Sequence, residues 1–137
     1  MITSRGNPET GRAKIEWALR FMPVLSRIRT EFSERRPLAG RKISATLHVT
    51  KETAVLIETL IAGGAEVFLT ASNPLSTDND VAAALESSGV PVRAWRGMEE
   101  KEYVEAIDWA HSHDPDIIID DGADSIVRAH LNGLAER

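Results

Sequence analysis

Apolar positions in the first third of the chain recur at helical spacing. Across residues 12–34, Ile15, Leu19, Met22 and Leu25 fall three or four apart, with Trp17, Phe21, Val24 and Ile28 beside them. So wide a stripe suits a helix with neighbours on two sides. Pro23 interrupts it. Proline is poor inside a helix and good in its first turn, so the pattern predicts a kink, or two helices meeting where Met22 joins Pro23. Arg35-Arg36-Pro37 and Gly40 end the stripe. Ahead of it the chain is polar, and residues 1–11 are expected to form a flexible N-terminus.

Beyond Gly40 the rhythm changes. Residues 42–48 read as a short buried strand and 50–62 as a helix ended by Gly63-Gly64. Residues 66–70 read as a second strand, 80–88 as an alanine-rich helix ended by Gly89, and 90–95 as a short strand. Residues 99–112 form an amphipathic pattern with Tyr103, Val104, Ile107 and Ala110 on one face. Residues 116–119 read as a fully buried strand and 124–134 as a last helix. Strands alternating with helices predict an α/β domain: a four-stranded, mainly parallel sheet flanked by helices, with a helical N-terminal arm. No internal repeat or low-complexity segment interrupts this order.

Composition narrows the chemistry. At 137 residues the chain is one domain in length. It has no cysteine, which excludes disulfides, thiolate zinc sites, Fe–S clusters and cysteine nucleophiles. Sixteen Lys+Arg against 21 Asp+Glu give a net charge of −5, so no nucleic-acid partner is expected. No apolar run approaches membrane-spanning length, and the polar start does not read as a signal peptide. The expected location is the cytoplasm, with no membrane partner.

In open parallel sheets, ligands bind beyond the carboxyl ends of the strands. That rule selects three segments. After the first strand comes His48-Val49-Thr50-Lys51-Glu52. A histidine there suits general acid–base work, or satisfies backbone groups at a strand end. Thr50 is a candidate N-cap and Lys51 a solvated side chain. Glu52 is either a partner of the helix dipole or a carboxylate accepting from an exocyclic amine. After the second strand, Asn73-Pro74 is turn-forming and Ser76-Thr77 is expected to cap the next helix. After the last strand, Asp120-Asp121-Gly122-Ala123-Asp124 packs three carboxylates into five residues, which repel unless compensated. Asp124 is the expected N-cap of the last helix, and strand alternation lets only one of Asp120 and Asp121 face a site. Without a placed histidine, no metal is expected. His111 and His113 are read as surface residues. There is no G-x-G-x-x-G fingerprint, phosphate loop or G-x-S-x-G elbow.

These segments carry a family likeness. L47-H-V-T-K-E-T53, A71-S-N-P-L-S-T77 with D80-V-A-A-A-L85, and I117-I-I-D-D-G-A-D124, framed by I15-E-W-A18 and M22-P-V-L25, stand in this order. From about Gly11 to His130 the chain resembles the amino-terminal part of the S-adenosylhomocysteine hydrolase family. The resemblance implies a Rossmann-like/flavodoxin-like sheet and a partial substrate-binding domain over residues 12–137. It implies reversible cleavage of S-adenosylhomocysteine to adenosine and homocysteine, by oxidation of the ribose 3′-hydroxyl, elimination, addition of water and reduction. Carried over by motif position, His48 and Asp121 are the catalytic acid–base pair, Thr50 and Glu52 contact adenine, and Asn73 lines the substrate pocket. The cofactor is NAD, bound by a separate domain that this chain lacks, so none is expected on the chain itself.

Partners implied by the resemblance are adenosine or S-adenosylhomocysteine, the remainder of the same enzyme, and further copies in a homo-oligomer when full length. This sequence departs from the family at Ala123, where a second glycine is usual, and at A18-L-R-F-M-P23, where glutamates are usual. It also stops before the family's E-E-T-T-T-G and K-F-D-N segments, so the isolated chain is expected to be inactive. The alternatives are a non-catalytic adenosine-binding or regulatory module, and a relative acting on the inosine analogue. Glu52 argues against the latter, because a carboxylate accepts from an amine and not from a carbonyl.

Overall fold

The helices begin where the sequence offers their first turns a partner or a proline. In the computed structural model, which describes residues 5–136, α1 (Pro8–Arg20) starts on Asn7. The Asn7 side chain accepts from the N–H groups of Glu9 and Thr10 at 2.9 and 3.2 Å, and Pro8 opens the helix. The second proline opens α2 (Pro23–Arg35). The interrupted stripe is thus two helices. Residues 8–11 are helical rather than flexible, and the Asn7 N–H is tied to the Asp80 carboxylate at 2.8 Å. The part of that expectation concerning residues 1–4 lies outside the described residues. The stripe is also only half covered: Ile15 and Ala18 are buried, whereas Trp17, Phe21 and Val24 are exposed.

The remaining elements are β1 (Lys42–Leu47), α3 (Lys51–Ala62), β2 (Glu66–Ala71), α4 (Asn79–Ser87), β3 (Val92–Arg93), α5 (Glu100–His111), β4 (Ile117–Asp120) and α6 (Asp124–Leu131). A 3₁₀ turn over Leu134–Glu136 follows. The four strands form one sheet in the order β3-β2-β1-β4, and every pairing is parallel. Ile43 stands between Val67 and Ile117, and Thr46 between Thr70 and Asp120. From Ile43 and Val67 onward the two central strands are buried, as a sheet covered on both faces requires. Their core partners include Val55, Ile57, Val81 and Leu85 on the helices.

β4 does not fit the expectation of a fully buried strand. Its three isoleucines are only partly covered, and Ile117 is 38% exposed. The physical reason is position: β4 pairs with β1 alone and forms an edge of the sheet.

The chain order sets which face each helix takes. β1, β2 and β3 advance in one direction across the sheet, while β4 returns to the far side of β1. Right-handed crossovers then place α3 and α4 on one face and α5 on the other. The arm packs outside the first layer, α1 against α3 and α4, and α2 against α3. The α1–α4 crossing is close enough to require glycine. A Cβ on Gly11 would lie 1.9 Å from the Asp80 carbonyl oxygen. α3 leaves β1 towards one face and α6 leaves β4 towards the other, where hydrogen bonds from Tyr103 to Asp124 and between His111 and Ser125 join it to α5, so the switch point of the sheet lies between these two strands.

Candidate functional site

The loops after β1 and β4 meet at that switch point. The Asp121 N–H donates to the Thr46 carbonyl at 3.2 Å, carrying the β1–β4 ladder one step past the strand. The His48 N–H in turn donates to the Asp121 carboxylate at 3.2 Å. Both side chains are exposed at the carboxyl edge. Asp120 is committed elsewhere: its two oxygens accept from Gly122 N–H at 3.0 Å and Ile126 N–H at 2.9 Å. Asp120, the last residue of β4, shapes the loop, and Asp121, one residue beyond the strand, is exposed.

That arrangement also caps α6, though not as expected. The residue at the cap is Ala123, in the left-handed region at φ 68°, and Asp124 is the first helical residue. The left-handed turn folds Asp120 back over the helix start, where it serves the Ile126 N–H. Asp124 is thereby released to accept the Tyr103 hydroxyl at 2.8 Å. The same hydroxyl lies 3.2 Å from the Ser72 carbonyl and so ties the loop after β4 to the loop after β2. Burial first, and then the Asp124 carboxylate, raise the phenol above its ordinary range. Tyr103 was legible in the sequence only as one residue of an apolar stripe. The signal available was that a buried tyrosine needs a partner for its hydroxyl.

Asn73 sits in the loop after β2. Its side-chain carbonyl accepts from the Leu75 N–H at 2.8 Å, closing an Asx turn and leaving its amide NH₂ as a donor. The residue is exposed and its loop borders the His48–Asp121 pair, but its side chain bonds to neither. The expected Ser76-Thr77 cap is instead Asp78, which accepts from Asp80 and Val81 N–H groups at 3.0 and 3.3 Å. Asp78 also donates its own N–H to the Val49 carbonyl at 2.9 Å, binding this loop to the one after β1.

On the β1 side, Thr50 caps α3, its hydroxyl oxygen accepting from the Thr53 N–H at 3.3 Å. Glu52 follows in the first turn. Burial acts to raise its pKa, but Lys51, its own backbone N–H and the Thr50 hydroxyl outweigh that and hold it below the usual carboxylate range. Lys51 is not simply solvated. Its Nζ is 3.0 Å from Glu52 Oε1 and 5.4 Å from the centre of the Trp17 ring.

Nor are the two histidines near the end of α5 surface residues. His111 is buried, with Nε2 2.8 Å from the Ser125 hydroxyl, and burial depresses its pKa most. His113 stacks on Phe68 at 3.8 Å between ring centres. Both belong to the packing behind the site, and α6 is joined to α5 further along by an Arg128–Asp108 ion pair.

Three loops thus meet at the switch point and present the exposed side chains of His48, Asn73 and Asp121 at one edge of the sheet. The family model for S-adenosyl-L-homocysteine hydrolase matches residues 2–136. The chain belongs to that family. Among S-adenosyl-L-homocysteine hydrolase relatives, an adenosylhomocysteinase of Pyrobaculum aerophilum is 55% identical over 129 residues, 94% of this chain and 30% of the relative. An S-inosyl-L-homocysteine hydrolase of Methanopyrus kandleri is 58% identical over 129 residues, 93% of this chain and 30% of the relative. An adenosylhomocysteinase of Aquifex aeolicus is 54% identical over 132 residues, 94% of this chain and 32% of the relative. The chain thus spans about a third of the length of the family members it matches. Among the described residues no helix is long and apolar enough to cross a membrane.

Proposed function

We propose that this chain supplies the substrate side of an adenosylhomocysteinase, which splits S-adenosyl-L-homocysteine reversibly into adenosine and homocysteine, with water consumed. The observation that carries the reading is the hydrogen bond from the His48 backbone N–H to the Asp121 carboxylate across the switch point, 3.2 Å over a sequence separation of 73, which brings the two residues to one place at the sheet edge. In this reading the exposed His48 imidazole takes and returns a proton near C5′ and the leaving sulfur, with Asp121 as its acid–base partner. Asn73 offers its amide to the substrate. Thr50 and Glu52 meet the base, and the carboxylate of Glu52 accepts from the amino group of adenine. That preference for an amine is why we favour the adenosyl over the inosyl substrate.

NAD is the cofactor that this reading requires, and when bound it supplies the oxidation and re-reduction of the ribose. The described residues do not fit it. The turn at the switch point is His48-Val49-Thr50, without glycine and with Val49 fully buried, so no open backbone cradle meets a pyrophosphate there. We therefore assign NAD to a region outside this chain and derive no step through it here. The same reading makes the working form a cytoplasmic homo-oligomer of longer chains, within the methionine cycle.

A chimera tests the reading. These residues replace the matching third of the Pyrobaculum aerophilum enzyme, and hydrolysis of S-adenosyl-L-homocysteine is followed by homocysteine release. The chimera should turn over, and His48→Ala and Asp121→Asn should each lower kcat by about 10²–10⁴, as loss of a general acid or base does. A folded chimera that binds adenosine without turnover would instead make the chain a binding module.

A further inference from the structure

Consecutive residues on a helix ordinarily diverge. Lys51 and Glu52 do not, since the ammonium lies 3.0 Å from a carboxylate oxygen. Two features of the surroundings favour the pair. The Lys51 ammonium sits over the Trp17 ring, a favourable seat for a cation. The Glu52 carboxylate stands in the first turn of α3, beside the Thr50 cap, where the helix start favours an anion. An acceptor and a donor therefore stand side by side in the first turn of α3, just beyond the carboxyl end of β1. Neither is sealed off: their side chains are 35% and 50% exposed.

A carboxylate only accepts hydrogen bonds, and an ammonium only donates, through three hydrogens. One of the three is directed to Glu52 and the Trp17 ring faces another, which leaves one. The 6-position of a purine carries an amine in adenine and a carbonyl in hypoxanthine. Glu52 alone takes the amine and repels the carbonyl. With Lys51 3.0 Å from Glu52, an atom at the 6-position that is held by one group lies within reach of the other. An amine donates to Glu52, and a carbonyl accepts from Lys51.

We propose that Lys51 is a base-reading residue, and that the Lys51–Glu52 pair lets this site take 6-oxopurine as well as 6-aminopurine nucleosides. The proposal rests on the assignment of Glu52 to the base made above, and it widens the substrate class that Glu52 alone would set. Trp17 is a positioning residue here, seating the Lys51 ammonium beside Glu52.

The test is a titration of the 137-residue chain, followed by amide NMR shifts, with adenosine, inosine and purine riboside, which carries only hydrogen at the 6-position. Lys51→Met keeps an unbranched side chain of similar length and removes the donor. Glu52→Met removes the acceptor at similar length. The expected result is a crossed pattern. Lys51→Met weakens inosine about tenfold and adenosine less than twofold. Glu52→Met weakens adenosine about tenfold and inosine less than twofold. Tenfold is the size of one charge-assisted hydrogen bond at a half-exposed site. Purine riboside should change less than twofold in both, which also reports an intact fold. Equal losses of adenosine and inosine in Lys51→Met would overturn the inference, as would unchanged inosine binding. So would a wild-type chain that binds adenosine and rejects inosine, and that outcome leaves the adenosyl reading standing. If none of the three ligands shifts the loops after β1 and β2, the nucleoside site itself is refuted and this inference with it.

Discussion

Ala123 occupies a conformation that suits glycine. At φ 68° its Cβ crowds the backbone, a cost of about 1–2 kcal/mol for an L-residue. Glycine would relieve that and lose about 0.4–1 kcal/mol through greater freedom of the unfolded chain. Ala123→Gly should therefore stabilise the fold by about 0.5–1 kcal/mol, seen as a higher urea midpoint at unchanged slope. His111 sets a pH limit at the same scale. Its folded pKa lies below the ordinary 6.5, chiefly through burial, with Arg128 also lowering it and Asp108 and Asp120 opposing. Between the two values the unfolded chain binds more protons, so stability is full above about pH 6.5 and falls as pH drops towards the folded pKa. Thermal melts from pH 7.5 to 5 should show this decline, and His111→Gln should flatten it. An unchanged slope in the variant would rule out His111 as its source. The sequence displayed the position of Ala123 and its departure from glycine. It did not display the burial of His111, because that depends on where α6 lies across α5.

Among the elements, the arm is the part held by charge. Residues 1–42 carry ten Lys+Arg and four Asp+Glu, and the remainder carries six and seventeen. The ion pairs follow that division. Arg12 and Arg29 converge on Glu58 of α3 at 2.5 and 3.1 Å, and Lys14 reaches Asp78 and Asp80 at the start of α4 at 2.8 and 2.9 Å. Ion pairs that remain in reach of water contribute modestly singly, so close packing must do the rest. Gly11 decides how close. Gly11→Ala gains up to about 1 kcal/mol of helix propensity, but its Cβ would strike backbone, where overpacking costs about 1–3 kcal/mol. We expect net destabilisation and earlier proteolysis within α1. A variant as stable as the wild type would contradict the geometry. The helices and their joint at Pro23 were legible because prolines and periodic apolar residues act locally. The span of β4 was legible as well, but its exposure was not: three isoleucines look alike in a central strand and at an edge.

At the scale of the whole molecule, the residues assigned to the purine and to proton transfer are gathered at one edge, and the cofactor's place is not among them. The isolated 137-residue chain should therefore show no release of homocysteine, even with NAD and S-adenosyl-L-homocysteine supplied. Losing the alignment of reacting groups alone can forfeit roughly 7–11 kcal/mol. Turnover by the purified chain would refute this. The site's location was legible from topology alone, since alternating strands and helices imply a parallel sheet with its ligands at the strand ends. The strand order that makes His48 and Asp121 neighbours was not, because pairing between distant strands leaves no periodic trace in either. That pairing also sets a timetable. β1 finds β2 as soon as one helix has been made, whereas Asp121 follows His48 by 73 residues. At ribosomal speeds of about 5–20 residues per second, roughly 4–15 s separate the two halves of the site during synthesis. For those seconds the nascent chain exposes the flank of β1 that β4 will cover, an unpaired strand edge open to chaperones or to the same edge on a neighbouring nascent chain.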